Sequence, residues 1–321
     1  MLRLLSQDLV RSGFVRTPDD VHLYWRAVGH GPLLVCCNGV GVSTFFWKYI
    51  VERFRDRYTV VVWDYRGHGR SDRKLDPTTT DLSVARHADD LMLVMDAVRG
   101  GGDPAVLFGH SMGCQVVLEA WRRHPERVRG LVLMQGTAGH VLDTFFNLSQ
   151  ASQGFRAIRR LAMKGGRATT AIIRPLLEAP LAVLIGLKTN MMDSHYTAPE
   201  DLRNYLEHLA RMDLRVFLGC VWEAQRHSAW EALPQVDVPT LVVAADGDTF
   251  TPVACGRKIA DLIPGAELLV LGGATHAALV EQPQTVNHRV ERFLQERLRG
   301  PPPPRSAEDA VSGPQLANVA K

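Results

Sequence analysis

The chain has no long hydrophobic run. Its longest apolar stretch, residues 179–187, is far short of the roughly 20 residues a spanning helix needs, so no transmembrane segment is expected. It also has little excess charge of either sign. Its 37 Lys and Arg stand against 34 Asp and Glu, and the net +3 is dispersed over 321 residues, which excludes the concentrated basic footprint of a nucleic-acid binder. Cysteine is scarce: Cys36, Cys37, Cys114, Cys220 and Cys255 are odd in number and show no Cys-x-x-Cys or Cys/His ligand spacing. Reduced, buried thiols are therefore expected, and no metal site. The opening MLRLLSQDLVRSG sets Arg3, Asp8 and Arg11 among short apolar stretches and lacks the apolar core of a secretory signal, so a cytoplasmic location is the expectation.

What is present is an ordinary globular composition, 46% hydrophobic and 22% charged. The length exceeds the roughly 250–300 residues at which one core stops growing, which calls for a large domain with an insertion or for two domains. Residues 14–28 read as two extended segments about a turn at Thr17-Pro18-Asp19-Asp20. After them, short runs that are apolar throughout (LLVCC, TVVVW, AVLF, LVLM) alternate with helical stretches at 45–55, 81–99 and 112–123. The alternation resumes with LVVAA, a helix near 253–262, ELLVL, and a helix near 284–298. Strands with no polar face, alternating with amphipathic helices, predict an α/β fold whose mostly parallel sheet is covered on both faces.

Between Thr137 and Leu233 the alternation stops. This segment reads as several helices, broken near Gly165-Gly166, Pro175, Pro180 and Pro199, with apolar patches (AIIRPLLEAPLAVLIGL) beside basic Arg156, Arg159, Arg160 and Arg167. The division expected is a core over 1–136 and 234–299, a helical cap over 137–233 inserted after the sixth strand, and a Pro-rich, flexible tail over 300–321.

Gly109-His110-Ser111-Met112-Gly113 matches G-x-S-x-G, directly after a buried strand and directly before a helix. A Gly-Ser turn capping a helix would carry the same letters, but strand, sharp turn and helix are the setting in which a serine hydroxyl is presented as a nucleophile. Such a hydroxyl needs an oriented base. Two later strand ends supply candidates: Asp246 and Asp248 in DGDTFTP, and His276 in GGATH. The order serine, acid, histidine suits a parallel sheet whose strand ends share one edge. His276 would take the serine proton, and an aspartate would orient it.

These features resemble the α/β-hydrolase fold family over about residues 14–135 and 236–298. The family's acid commonly stands in Asp-x-x-x-Pro, which selects Asp248 through Pro252 over Asp246. Asp64-Tyr65-Arg66-Gly67-His68-Gly69-Arg70-Ser71 is similar to its D-x-R-G-x-G-x-S loop, a brace by analogy and not a metal site. Cys37-Asn38-Gly39-Val40-Gly41 corresponds to its His-Gly-x oxyanion segment, with Asn38 where histidine is frequent. The resemblance implies oxyanion donors at the backbone N–H groups of Val40 and Met112. Dehalogenases and epoxide hydrolases of this fold carry aspartate at the elbow, where this chain has Ser111.

The activity implied is hydrolysis of a carboxylic ester through an acyl-serine, with Ser111, Asp248 and His276 as the triad and no metal or organic cofactor. Cap residues between Thr137 and Leu233, notably those around 172–187, are expected to line an apolar acyl pocket or simply to contact the core. Its basic residues could instead suit an anionic acid or a thioester with a phosphorylated leaving group. Thioesterases, lactonases, carbon–carbon bond hydrolases, aminopeptidases, haloperoxidases and acyltransferases use the same triad, and some relatives are small-molecule receptors. A third role would use the prolines at 301–304 as a partner ligand. His195, His208 and His227 in the cap lack paired ligand spacing and are expected to be surface or core residues. Oligomeric state and substrate identity are open at this level.

Overall fold

The computed structural model describes residues 9–144, 151–178, 193 and 197–298. The expected hairpin is β1 (Val10–Arg16) and β2 (His22–Val28), paired antiparallel, with β1 starting earlier than the turn signal alone suggested. The apolar runs become β3 (Leu33–Cys37), β4 (Thr59–Trp63), β5 (Ala105–His110), β6 (Val128–Met134), β7 (Thr240–Ala245) and β8 (Glu267–Leu271). Every residue of β3, β4, β5 and β7 is buried, as strands covered on both faces require. The order across the sheet is β1-β2-β4-β3-β5-β6-β7-β8, parallel from β4 onward.

Helices cover both faces. On one side lie α1 (Lys48–Phe54) and, from the chain's far end, a helix over Pro283–Arg297; Ile50, Phe54, Val290 and Phe293 share one apolar cluster there. On the other lie α2 (Val84–Arg99) and α3 (Met112–Arg123), packed through Leu91, Val94, Val116 and Val117. The α2 helix begins three residues later than its periodicity suggests. Ser83 caps it by accepting from the Arg86 N–H, and Gly100 ends it in left-handed geometry (φ 72°). All five cysteines are buried and free.

The described residues between β6 and β7 include the helices α4 (Ala151–Glu178), α5 (Pro199–Arg211) and α6 (Leu214–Arg226). Pro175 was expected to break this stretch but sits inside α4; the interruption is a kink at Gly166 (φ 59°, ψ −150°). A proline removes one helical N–H and bends a helix without necessarily ending it. The expected break at Pro180, the apolar stretch 179–187, His195 and the tail 300–321 lie outside the described residues. The α5 helix is anchored to α1 through buried Asp201, which receives Lys48 Nζ at 2.6 Å and the Tyr49 hydroxyl at 3.2 Å. The chain ends its described part with α7 (Val253–Leu262), α8 (Ala278–Glu281) and α9 (Pro283–Arg297). Among the described residues no helix is long and apolar enough to cross a membrane.

The topology places the site. From β3 the chain crosses to β4 on one side and then to β5 on the other, so the strand order reverses between β3 and β5. In open α/β sheets the crevice outside the carboxyl ends of such strands is where ligands bind. Here those ends lead into Asn38-Gly39-Val40 and Ser111.

Candidate active site

Ser111 joins β5 to α3 in a conformation unusual for a side-chain-bearing residue, φ 56° and ψ −119°. Surrounding contacts hold it there: its N–H donates to the Met134 carbonyl at 3.1 Å and its carbonyl accepts from the Cys114 N–H at 3.0 Å. Glycine on either side is a packing requirement. A Cβ on Gly109 would collide with the Gly113 backbone, and one on Gly113 with the carbonyl of Cys37. The close approach lays the first turn of α3 against the loop after β3. N–H groups of a first helical turn have no intrahelical partner and point out of the helix end, and Met112 is the first residue of that turn.

The structure brings Asp248 and His276 together. Asp248, in the loop after β7, accepts from His276 Nδ1–H through Oδ2 at 2.8 Å. The same carboxylate accepts from the Thr251 hydroxyl at 2.8 Å and from the N–H groups of Phe250 and Thr251 at 2.8 and 2.9 Å. Its side chain has no exposed surface. Burial by itself pushes the carboxyl up, but the charge and hydrogen bond of His276 and the donors of Thr251 outweigh burial and hold it below its ordinary value. The anion is thus the form present at neutral pH, fixing Nδ1 as the protonated nitrogen and leaving Nε2 as the basic one. Asp246 does other work: its Oδ1 accepts from the Gly273 N–H at 2.8 Å, tying the two loops together.

The loop after β3 is braced from below. Asn38, fully buried, donates to the Trp63 carbonyl and accepts from Trp47 Nε1, each at 2.7 Å. In this chain it is a strut, a task an amide performs with both ends occupied. The D-x-R-G segment supports the same loop. Asp64 accepts from the Thr44 and Arg70 N–H groups at 3.0 and 2.9 Å, and His68 Nε2 accepts from the Gly41 N–H at 3.2 Å while its Nδ1–H donates to the Arg66 carbonyl. His68 is therefore needed neutral, and burial, only partly offset by that carbonyl, pushes it down to about 4. Among the described residues no group of three His, Cys, Asp or Glu is arranged to hold a metal ion.

Ser111, His276 and Val40 line one small cavity of about 40 Å³, together with Val42, Phe46 and, from α5, Tyr205. Tyr205 is the cap's contribution, a residue that no sequence signal singled out. The expected lining by residues 172–187 is not seen at Ile172, which is 72% exposed. An apolar letter does not say which side of a helix meets the core, and α4 turns this position outward. His208 packs between His68 and Phe45, and His227 contacts Glu119 and Gln115; neither reaches the cavity lining. Sequence reasoning also passed over His110, which lines the cavity beside Ser111, and Glu281. Glu281 accepts from the Thr275 N–H and hydroxyl at 2.7 and 2.6 Å and from the Asp193 N–H at 2.7 Å, holding the residue before His276 to the cap segment.

Known proteins are similar to this chain in sequence and fold. RutD of Azorhizobium caulinodans, named for carbamate hydrolysis, is 27% identical over 284 residues, covering 86% of this chain and 96% of its own. The 3-oxoadipate enol-lactonase 2 of Acinetobacter baylyi is 25% identical over 280 residues, covering 87% and 95%. A hydrolase structure from Pseudomonas aeruginosa superposes with a TM-score of 0.70 at 26% identity, covering 88% and 98%. The profile of the α/β hydrolase fold family spans residues 32–283, and the chain belongs to that family.

Proposed function

We propose that the protein hydrolyses a carboxylic ester through an acyl-serine intermediate. The observation that carries this is Ser111, held strained at a strand–helix elbow and sharing a cavity with His276, whose Nδ1 is held by buried Asp248. In the reaction, Ser111 Oγ attacks the ester carbonyl carbon and His276 Nε2 takes its proton. The carbonyl oxygen, now negative, receives the N–H groups of Val40 and Met112. Collapse expels the alkoxide, which leaves as the alcohol with the proton from His276. Water then attacks the acyl carbon with His276 again as base, releasing the acid and restoring Ser111.

The cavity refines the substrate. Its walls at Val40, Val42, Phe46 and Tyr205 suit an apolar acyl group. A cyclic ester is a second reading, favoured by the likeness to a protein named as an enol-lactonase. The test is fluorophosphonate labelling with hydrolysis of p-nitrophenyl acetate, butyrate, octanoate and palmitate, followed by small lactones and carbamates. Short esters or lactones turned over by a protein that labels at Ser111 support the proposal. Turnover that persists in Ser111→Ala ends it.

A further inference from the structure

Six large apolar side chains stand exposed among the described residues, and three of them, Ile158 (59%), Leu161 (72%) and Ile172 (72%), lie on α4. Ile158 and Leu161, three residues apart, are neighbours on the helix surface. Beside them runs a basic row at every fourth position, Arg156, Arg160 and Lys164, each exposed. The helix carries no Asp or Glu before its final residue, Glu178. Its inner side is marked by buried Ala162 and by Arg159, whose guanidinium lies 5.3 Å from the Trp222 ring of α6. The cationic and apolar rows are therefore both turned away from the body of the protein. Neither takes part in the cavity around Ser111.

We infer that α4 is a membrane-docking helix that seats the cap on an anionic lipid surface. Apolar side chains that enter the acyl boundary, beside cations at headgroup level, are the combination by which amphipathic helices lie in an interface. Charge chooses the partner. A second copy of the chain meeting this face would gather two basic rows and no acidic partner into one interface. A negatively charged bilayer satisfies the arginines and lysine and covers Ile158 and Leu161 together. The α4 helix packs on α5, the helix that supplies Tyr205 to the cavity, so docking would bring the cap side of the site to the lipid surface, where apolar esters partition.

The experiment is co-sedimentation of the full chain with phosphatidylcholine vesicles, with and without added phosphatidylglycerol, at low and high salt. Binding is expected only with the anionic lipid and should weaken as salt rises. The triple variant Arg156→Glu/Arg160→Glu/Lys164→Glu is expected to lower partitioning about a hundredfold. The double variant Ile158→Asp/Leu161→Asp should abolish it. These positions face solvent, so hydrolysis of soluble p-nitrophenyl acetate and the thermal midpoint should be unchanged, which shows that each variant is folded. Absence of vesicle binding overturns the inference. So does binding that ignores both variants, binding to phosphatidylcholine alone that equals the anionic case, or a stable dimer that Ile158→Asp/Leu161→Asp dissociates.

Discussion

His110 Nε2–H donates to the backbone carbonyl of His276 at 2.9 Å, so the residue before Ser111 holds the peptide of the proposed base. The two rings lie 5.0 Å apart, and Phe46 flanks His110 at 4.6 Å. Burial, together with the charge of His276, pushes His110 down to about 3, so it remains a neutral donor at any working pH. Replacing it by leucine keeps the bulk but leaves the carbonyl unpaired. We expect His110→Leu to lower kcat by about 10–100-fold with little change in KM, since small misplacements of a reacting group cost on that order. His110→Gln, which can present a donor to the same carbonyl, should recover most of the loss. Equal kcat in the leucine variant and the parent would show that the contact has no positioning role.

Asp248→Asn tests the orientation of His276 separately from the nucleophile. An amide that donates toward Nδ1 selects the wrong tautomer, and in comparable triads such a change costs about 10⁴ in kcat. Fluorophosphonate labelling should slow in step, because it too needs the serine activated. Ser111→Ala should lower kcat by about 10⁴–10⁶ and abolish labelling with the thermal midpoint preserved. If the Asp248→Asn enzyme labels at the parent's rate, the acid lies elsewhere and Asp246 becomes the next candidate.

Legibility in the sequence followed the range of the interaction. The Ser111 elbow was readable because strand, Gly-x-Ser-x-Gly and helix are contiguous, and the collisions that demand Gly109 and Gly113 occur within the turn or with the next strand end. Asp248 and His276 were readable as strand ends on one edge of a parallel sheet. Tyr205 was not, since it is far from Ser111 in sequence and reaches the cavity through the docking of α5 by Asp201 on Lys48 and Tyr49. The same holds for Glu281, a plain acidic residue until the fold sets it under Thr275. Ile172 misled for the complementary reason, because composition reports that a cap is apolar without reporting which side faces inward.

Arg66 and Asp90 form a pair with no exposed side-chain surface, joined by two bonds of 2.7 and 2.9 Å. Asp19 adds a second carboxylate to Arg66 at 2.7 Å. Removing one partner leaves the other charge buried, so Asp90→Ala is expected to destabilise the fold by about 3–5 kcal/mol. Arg66→Met/Asp90→Leu should cost clearly less than the two single changes summed, because it removes the two fully buried charges together and leaves only the partly exposed Asp19 and Arg86 without them. Urea unfolding of the four proteins measures this. Additive losses would mean that the residues act through packing alone.

Acid sensitivity should come from histidines before it comes from carboxylates. His68 and His87 are pushed down to about 4 and His110 and His208 to about 3, each chiefly by burial, from an ordinary value of 6.5. Below pH 6.5 the unfolded chain protonates all four, while the folded chain does not until about pH 4. The unfolded state thus binds more protons throughout that window, and stability must fall as pH falls, by up to about 1.4 kcal/mol per pH unit for each histidine. Glu119, held down to about 2 although burial opposes it, through bonds from His227 and Arg122, adds its loss only below about 4.5. Thermal midpoints should therefore decline steadily from pH 6.5 to 4.5. His87→Phe should flatten that slope by about a quarter whatever its effect on absolute stability, because it removes one of four titrating groups. A midpoint that stays level from pH 6.5 to 5 would mean that these imidazoles reach protons or water in the folded state. In that case the bond from Gly41 to neutral His68 could not be what supports the loop after β3.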